Sequence, residues 1–282
     1  MDKLRLTLLT LLTTLTMIAF AGNSLLCRMA LKETGIDAAT FTSVRLLSGA
    51  AMLWLLMSLQ RQAPLVHGNW RSATALFIYA IALSYAYRSI DTGAGALMLF
   101  GAVQATMLIA GFLAGERMTA MQSAGFVAAM VGLVILVTPG VEAPSVLDSI
   151  LMLVSGVAWG VYSMLGRGQT NPAAATAGNF LRAAPLTIAL SLLTLPWLQL
   201  DAQGVLYAVL SGAVTSALGY VLWYRVLQHM RAMTASTVQL SAPVLAAVAG
   251  ILLLGETVTH DLLVASVLIL GGILLVLRYG KR

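Results

Sequence analysis

Charged side chains in this 282-residue chain fall almost wholly at the joints between apolar runs of about twenty residues, the length that crosses a bilayer as a helix. A backbone inside hydrocarbon must satisfy its own N–H and C=O groups, and a helix does this segment by segment. The spacing therefore predicts an all-α membrane protein with spans near 7–30, 39–59, 71–89, 93–113, 118–138, 146–166, 175–197, 204–226, 233–254 and 260–278. Composition agrees. Charged residues make up 9% of the chain, against about 25% in chains that fold in water. The joints are short, so no water-soluble domain is expected. The net charge of +6 does not mark a nucleic-acid binder, because the basic residues are scattered at run ends with no patch among them.

The N-terminal run follows Lys3 and Arg5 and passes Ala19-Phe20-Ala21, a small-residue pattern like a cleavage site. It continues to Leu31, which is long for a signal peptide, and is read as a retained first helix. Alternating the joints across a membrane puts Lys3, Arg5, Arg61, Arg71, Arg117, Arg167, Arg225, Arg231, Arg278, Lys281 and Arg282 on one side. Only Arg28, Lys32 and Arg88 fall on the other. Cytoplasmic joints are the basic ones, so both termini are expected in the cytoplasm of a bacterial cell with an inner membrane. Most acidic residues, including Asp37, Asp91, Asp148, Asp201 and Glu256, fall outside.

The two halves echo each other. Tyr87-Arg88 recurs as Tyr224-Arg225, Gly115-Glu116 as Gly255-Glu256, and Arg45 as Arg182. Five spans per half is an odd number, so the copies, 1–140 and 141–282, must insert in opposite senses. Inverted repeats of this kind build transporters with a site at the membrane midplane. The small-residue helices that end in Gly-Glu, Ala158-Trp159-Gly160, and Arg45 and Arg182 after Phe41 and Phe180 together resemble the drug/metabolite transporter superfamily, EamA type. The resemblance covers essentially the whole chain and is strongest to the aromatic amino-acid exporters, the YddG group. It departs from the family pattern at Phe20-Ala21-Gly22-Asn23, where Trp-Gly is usual, and at Val103-Gln104, where the second copy has Pro243. It implies a ten-helix basket around a central cavity, lined by the first, third, fourth, sixth, eighth and ninth helices. It also implies alternating access and small-molecule export.

The candidate substrate-binding residues are polar or adaptable side chains inside those helices. Tyr79, Trp159, Tyr162 and Tyr220 lie too deep for an interfacial belt and offer ring faces to an apolar substrate. Asn23, Gln104, Gln239 and Ser241 are polar groups that are costly in hydrocarbon unless paired. Met98 adds an adaptable surface. Pro243 is read as a kink or hinge. Tyr87 and Tyr224 are assigned to the aromatic belt, and Arg45 and Arg182 are read as snorkelling to the interface. Glu116 and Glu256 are expected to cap the helices that follow them. His67, His229 and His260 fall in joints, and the lone Cys27 has no partner for a disulfide.

No carboxylate falls at the middle of any predicted span, which points to gradient-driven export rather than a carboxylate proton relay. No metal site, cofactor motif or catalytic pair is found, so an enzyme is not expected. The partners expected are lipid and an amino-acid-like substrate, with the chain acting as a monomer. The rival readings are a permease for phosphorylated or sugar-linked metabolites and a non-transporting membrane scaffold.

Overall fold

The computed structural model describes the chain except residues 1–2, 64–66, 114–118, 138–144, 168, 230–237, 240 and 280–282. Among the described residues it is all helical. The helices are α1 (Lys3–Glu33), α2 (Ala38–Leu59), α3 (Trp70–Ala86), α4 (Thr92–Leu113), α5 (Ala120–Val137), α6 (Val146–Gly166) and α7 (Pro172–Thr194), then α8 (Ala202–Leu227), α9 (Ser241–Leu254) and α10 (His260–Arg278). Six stretches are long and apolar enough to cross a membrane: α1, α2, α4, α6, α7 with its 3-10 extension to Trp197, and α8. Parts of α5, α9 and α10 form shorter apolar helices.

The surface confirms which solvent this fold expects. Leu8, Leu11, Leu15 and Ile18 all lie exposed along one stripe of α1, and Val127, Val131 and Val134 do the same on α5. Asn23, Ser24, Arg45, Gln104 and Gln239 are buried. Apolar outside and polar inside is the arrangement that hydrocarbon rather than water stabilises, and exposed apolar area of this extent marks a membrane surface.

The helix starts show why the charges sit where they do. The helices alternate in direction, so α2, α4, α6, α8 and α10 begin at one end of the molecule. Each has an aspartate there. Asp37 and Asp201 cap α2 and α8, Asp148 and Asp261 lie in the first turns of α6 and α10, and Asp91 precedes α4. Negative charge is favourable against the positive end of a helix dipole. At the other end, neutral caps serve. Asn69 and Asn171 cap α3 and α7. Thr119 and Gln122 form a reciprocal pair at the start of α5, with the Thr119 N–H donating to Gln122 Oε1 at 2.8 Å.

The core is built by α5 on α10, α3 and α4 on α6, α2 on α7 and α8, and α1 on α8 and α9. Tyr87 and Tyr224 do not join an interfacial belt. Both are fully buried, because each ring lies on a glycine. A Cβ at Gly95 would come within 2.5 Å of the Tyr87 ring, and one at Gly166 would overlap Tyr224. The Tyr224 hydroxyl donates to the Tyr162 carbonyl at 3.0 Å.

α8 departs from the regular helix expected. Residues Leu210–Leu218 form a π-helical segment, whose i to i+5 bonding stacks residues five apart. Such segments are rare and concentrate at functional sites. Pro185 lies inside α7. Pro243 is buried in α9, and residues 238–239 ahead of that stretch are helical as well.

Candidate functional site

The π segment of α8 turns Ser211, Thr215 and Ser216 toward α1. All three hydroxyls donate to Asn23 Oδ1, at 2.8, 3.3 and 3.3 Å. Asn23 Nδ2 then donates to the Tyr79 hydroxyl on α3 at 3.0 Å. Three helices, α1, α3 and α8, thus meet at one side chain, which the sequence reading assigns to the polar end of a substrate.

Arg45 joins them. It was expected to reach the membrane surface, but it is fully buried. Its Nε donates to Ser216 Oγ at 3.1 Å, and one terminal nitrogen donates to Tyr79 and Tyr220 hydroxyls at 3.2 and 3.0 Å. The other terminal nitrogen lies 3.7 Å from Cys27 Sγ. The guanidinium also lies 5.1 Å from the centre of the Tyr79 ring. The cause of the correction is what meets the side chain inside the bundle. Arg45 stands about 10 Å along α2 from its first residue, at 1.5 Å per residue, and hydroxyl groups from α3 and α8 meet it there. Among the described residues no carboxylate pairs with it.

An aromatic cluster packs against this polar centre. Trp159 lies 4.6 Å from Tyr220, 5.0 Å from Tyr79, 5.4 Å from Tyr162 and 5.3 Å from Phe20, centre to centre. Edge-to-face and offset contacts of this kind contribute about 0.5–1.5 kcal/mol per pair beyond area burial. Phe20 is a member that sequence reasoning missed. It touches Phe100, Trp159, Tyr220 and Trp223. Its departure from the family's Trp-Gly pattern at this place was the available signal.

The other candidate residues divide. Trp159 Nε1 donates to Gln239 Oε1 at 3.2 Å, which brings Gln239 to the cluster. Gln104 is buried on α4, one helical turn from Phe100 and so on the same face. Gln104 Nε2, Gln239 Nε2 and the Tyr162 hydroxyl are buried without a hydrogen-bond partner among the described residues. Met98 is buried in the same core. Ser241 lies apart: it is exposed and its hydroxyl donates to the Val238 carbonyl at 2.7 Å.

One end of the bundle is tied by charge. Arg28 of α1 is buried, and it donates to the carbonyls of Tyr87 and Arg88 at 3.0 and 3.1 Å and to Asp91 Oδ1 at 2.8 Å. Its Nε lies 3.5 Å from Glu256 Oε1. Glu256 was expected to cap the helix that follows it. Instead it accepts the backbone N–H of Thr92 at 2.8 and 2.9 Å and the Thr92 hydroxyl at 2.8 Å, which caps α4 of the other half. Two glycines make this possible. Gly255 has φ +63° and reverses the chain after α9, and Gly250 has no Cβ to collide with the returning carboxylate. The matching pair Gly115-Glu116 lies outside the described residues.

At the same end Asp37 accepts the N–H groups of Ala39, Thr40 and Gln199, each at 2.9 Å. Partial burial pushes its carboxyl pKa up, but the Thr40 hydroxyl and these N–H groups outweigh that and leave it below the usual carboxylate range. Midway along α7, Arg182 is half-buried and donates to the carbonyls of His67 and Gly178 at 2.7 and 3.0 Å.

Known proteins place this architecture. An uncharacterized protein of Pseudomonas aeruginosa is 53% identical over 274 residues, covering 96% of each chain. The uncharacterized transporter YoaV of Bacillus subtilis is 23% identical over 83% of this chain and 85% of its own. A probable terminal-alkyne amino-acid exporter of Streptantibioticus cattleyicolor is 28% identical over 86% of this chain and 83% of its own. A crystal structure of a protein 19% identical in sequence superposes with a TM-score of 0.72, covering 97% of this chain and 99% of that one, which shows a shared fold. The model of the EamA-like transporter family matches residues 147–278. With this apolar helical bundle around a polar centre, the chain belongs to the EamA-like transporter family, as a multi-pass membrane protein.

Proposed function

We propose that this transporter exports small amphipathic metabolites, with aromatic and other apolar amino acids as its substrates, by alternating access across a bacterial inner membrane. The observation that carries the reading is Arg45, a fully buried cation with only neutral partners, set against a cluster of aromatic rings. An ionisable group inside a membrane protein is costly and marks function by default. A guanidinium fork fits a carboxylate, and the rings of Trp159, Tyr162 and Phe20 suit an apolar side chain. An amino acid carries both parts. Gln104, Gln239 and Tyr162 hold unmade hydrogen bonds, each costing about 1–3 kcal/mol, which polar ends of a substrate would satisfy. The name of the Streptantibioticus relative, an amino-acid exporter, supports the same class.

The architecture we propose is ten spans in two inverted five-helix repeats, 1–140 and 141–282, working as a monomer. The helix contacts support it. α2–α7, α4–α9 and α5–α10 each join a helix to its counterpart in the other half. Several further contacts come in matched pairs: α3–α6 with α1–α8, α4–α6 with α1–α9, and α3–α7 with α2–α8. Rocking one repeat against the other would separate rings now in contact. The Arg28–Asp91–Glu256 tie would release whenever the centre opens toward the aspartate-capped end. That end is assigned to the outside by the scarcity of basic residues there, with both termini in the cytoplasm.

A permease for phosphorylated or sugar-linked metabolites is the second reading, and the central position of Arg45 favours it over a scaffold. One guanidinium among rings suits a single carboxylate better than a phosphate dianion. Proteoliposome uptake of labelled Phe and Trp, set beside Lys and a nucleotide sugar, separates the readings. Saturable uptake of Phe and Trp alone is expected, and equal leakage of all four would remove the exporter reading.

A further inference from the structure

A second site lies on the outside of the bundle, away from Arg45. α3 and α6 pack closely, yet between them runs an open trough of about 530 Å³. Its floor includes Ala75 and Ala158, 7% and 8% exposed, where small side chains leave depth. Its walls are the exposed aliphatic residues Ile78, Ile150, Val154 and Val161. Apart from Thr74, one polar side chain lines it, Arg71, at the end where α3 begins. Arg71 makes no ion pair with any described residue.

We infer that this trough holds one acyl chain of an anionic phospholipid, with the headgroup phosphate on Arg71. Three observations fix the occupant. The first is length. Residues 150 to 161 of α6 line the trough, and eleven steps of 1.5 Å give about 16 Å, close to half of the ~30 Å hydrocarbon thickness. The trough is therefore one leaflet deep. The second is level. Trp70, 56% exposed beside Arg71, is the residue type that settles at the headgroup boundary. The third is charge. An unpaired guanidinium at that boundary binds a phosphate with two parallel hydrogen bonds, and basic groups beside grooves between spanning helices select anionic headgroups. The site depends on the chain lying in a bilayer and not on what it exports.

The test uses the whole purified protein in nanodiscs of phosphatidylcholine with a minor fraction of phosphatidylglycerol. Native mass spectrometry counts the lipids retained on mild detergent release. Wild-type protein should keep one phosphatidylglycerol. R71Q should lower its retention about five-fold, the effect of one basic side chain at a lipid surface, and R71K should keep most of it. A158L, which fills the floor, should lower retention with Arg71 intact. A phosphatidylglycerol with a photoreactive acyl chain should label residues 71–78 and 150–161. Equal retention of the two lipids by wild type would overturn the site. So would undiminished retention by both R71Q and A158L, or labelling spread evenly around the bundle. Thermal melting of each variant separates a lost lipid from a lost fold.

Discussion

Arg45 and Arg182 hold matching places in the two halves of the sequence, each following a phenylalanine, yet they live in different chemistry. Arg45 is fully buried at the centre, held by hydroxyls from α3 and α8. Arg182 is half-buried midway along α7, where it donates to two backbone carbonyls. The difference lies in what each helix faces at that depth. α2 packs along α8, whose π segment presents Ser216 and whose following turn presents Tyr220, whereas α7 meets the α2–α3 connection at His67. The sequence places an arginine in each half, and packing decides what surrounds it.

The largest effect should separate transport from folding. In R45M the Tyr79 and Tyr220 hydroxyls keep each other as partners, 3.1 Å apart, and a buried cation lacking a carboxylate gives way to a side chain of similar length. Such exchanges are often neutral for stability. Proteoliposome uptake of Phe should fall about 10- to 100-fold, the equivalent of a lost charged hydrogen bond of about 1.5–3 kcal/mol. The melting temperature should move by only a few degrees. Retained uptake would show that Arg45 is no more functional than Arg182.

Glu256 should behave the opposite way, as a rim group whose value is structural. E256A strips the cap from α4 and leaves Arg28 without one of its two acids, for a loss of about 3 kcal/mol in stability. Chemical denaturation in detergent should show it, and the effects of removing Arg28 and Glu256 together should fall short of their sum. Additive losses would mean that the two ends of the ion pair act separately.

For Arg182 a small number is expected. R182Q keeps a donor for the carbonyls, so stability should fall by less than about 1 kcal/mol and uptake should be unchanged. A deficit as large as that of R45M would erase the contrast between the two arginines.

The smallest effect is acid sensitivity at Asp37, whose carboxyl is held below its usual range in the fold. A lowered folded value stabilises the fold above the unfolded value near 3.9. That contribution is lost as pH falls through the lowered folded value. D37N should lower the melting temperature near neutrality, where that contribution is present, and flatten the acid limb, so that the two proteins converge at low pH. An acid limb identical in D37N would place the sensitivity elsewhere.

Much of this was legible in the residues themselves. Tyr79, Trp159, Tyr162, Tyr220 and Asn23 stand out because rings and amides are costly inside an apolar span, and the structure gathers all five. Arg45 was visible as a residue but not as a centre. Its depth in α2 conflicted with snorkelling, yet nothing in a linear sequence shows that hydroxyls from two other helices arrive beside it. Phe20 looked like one apolar residue among many. Glu256 looked like a local cap because its true partner, Thr92, is 164 positions away.

The sequence by itself determined the solvent, the helical class and the ends of most helices. These follow from local rules: apolar length, backbone satisfaction in hydrocarbon, and aspartate or asparagine at helix starts. Only the tertiary structure decided which polar groups meet. Whether Arg45 is a surface charge or a buried one, and which helix Glu256 caps, depends on contacts between segments far apart in the chain. Those contacts turn on the π segment of α8 and on glycines that let other elements approach, features that no local pattern encodes.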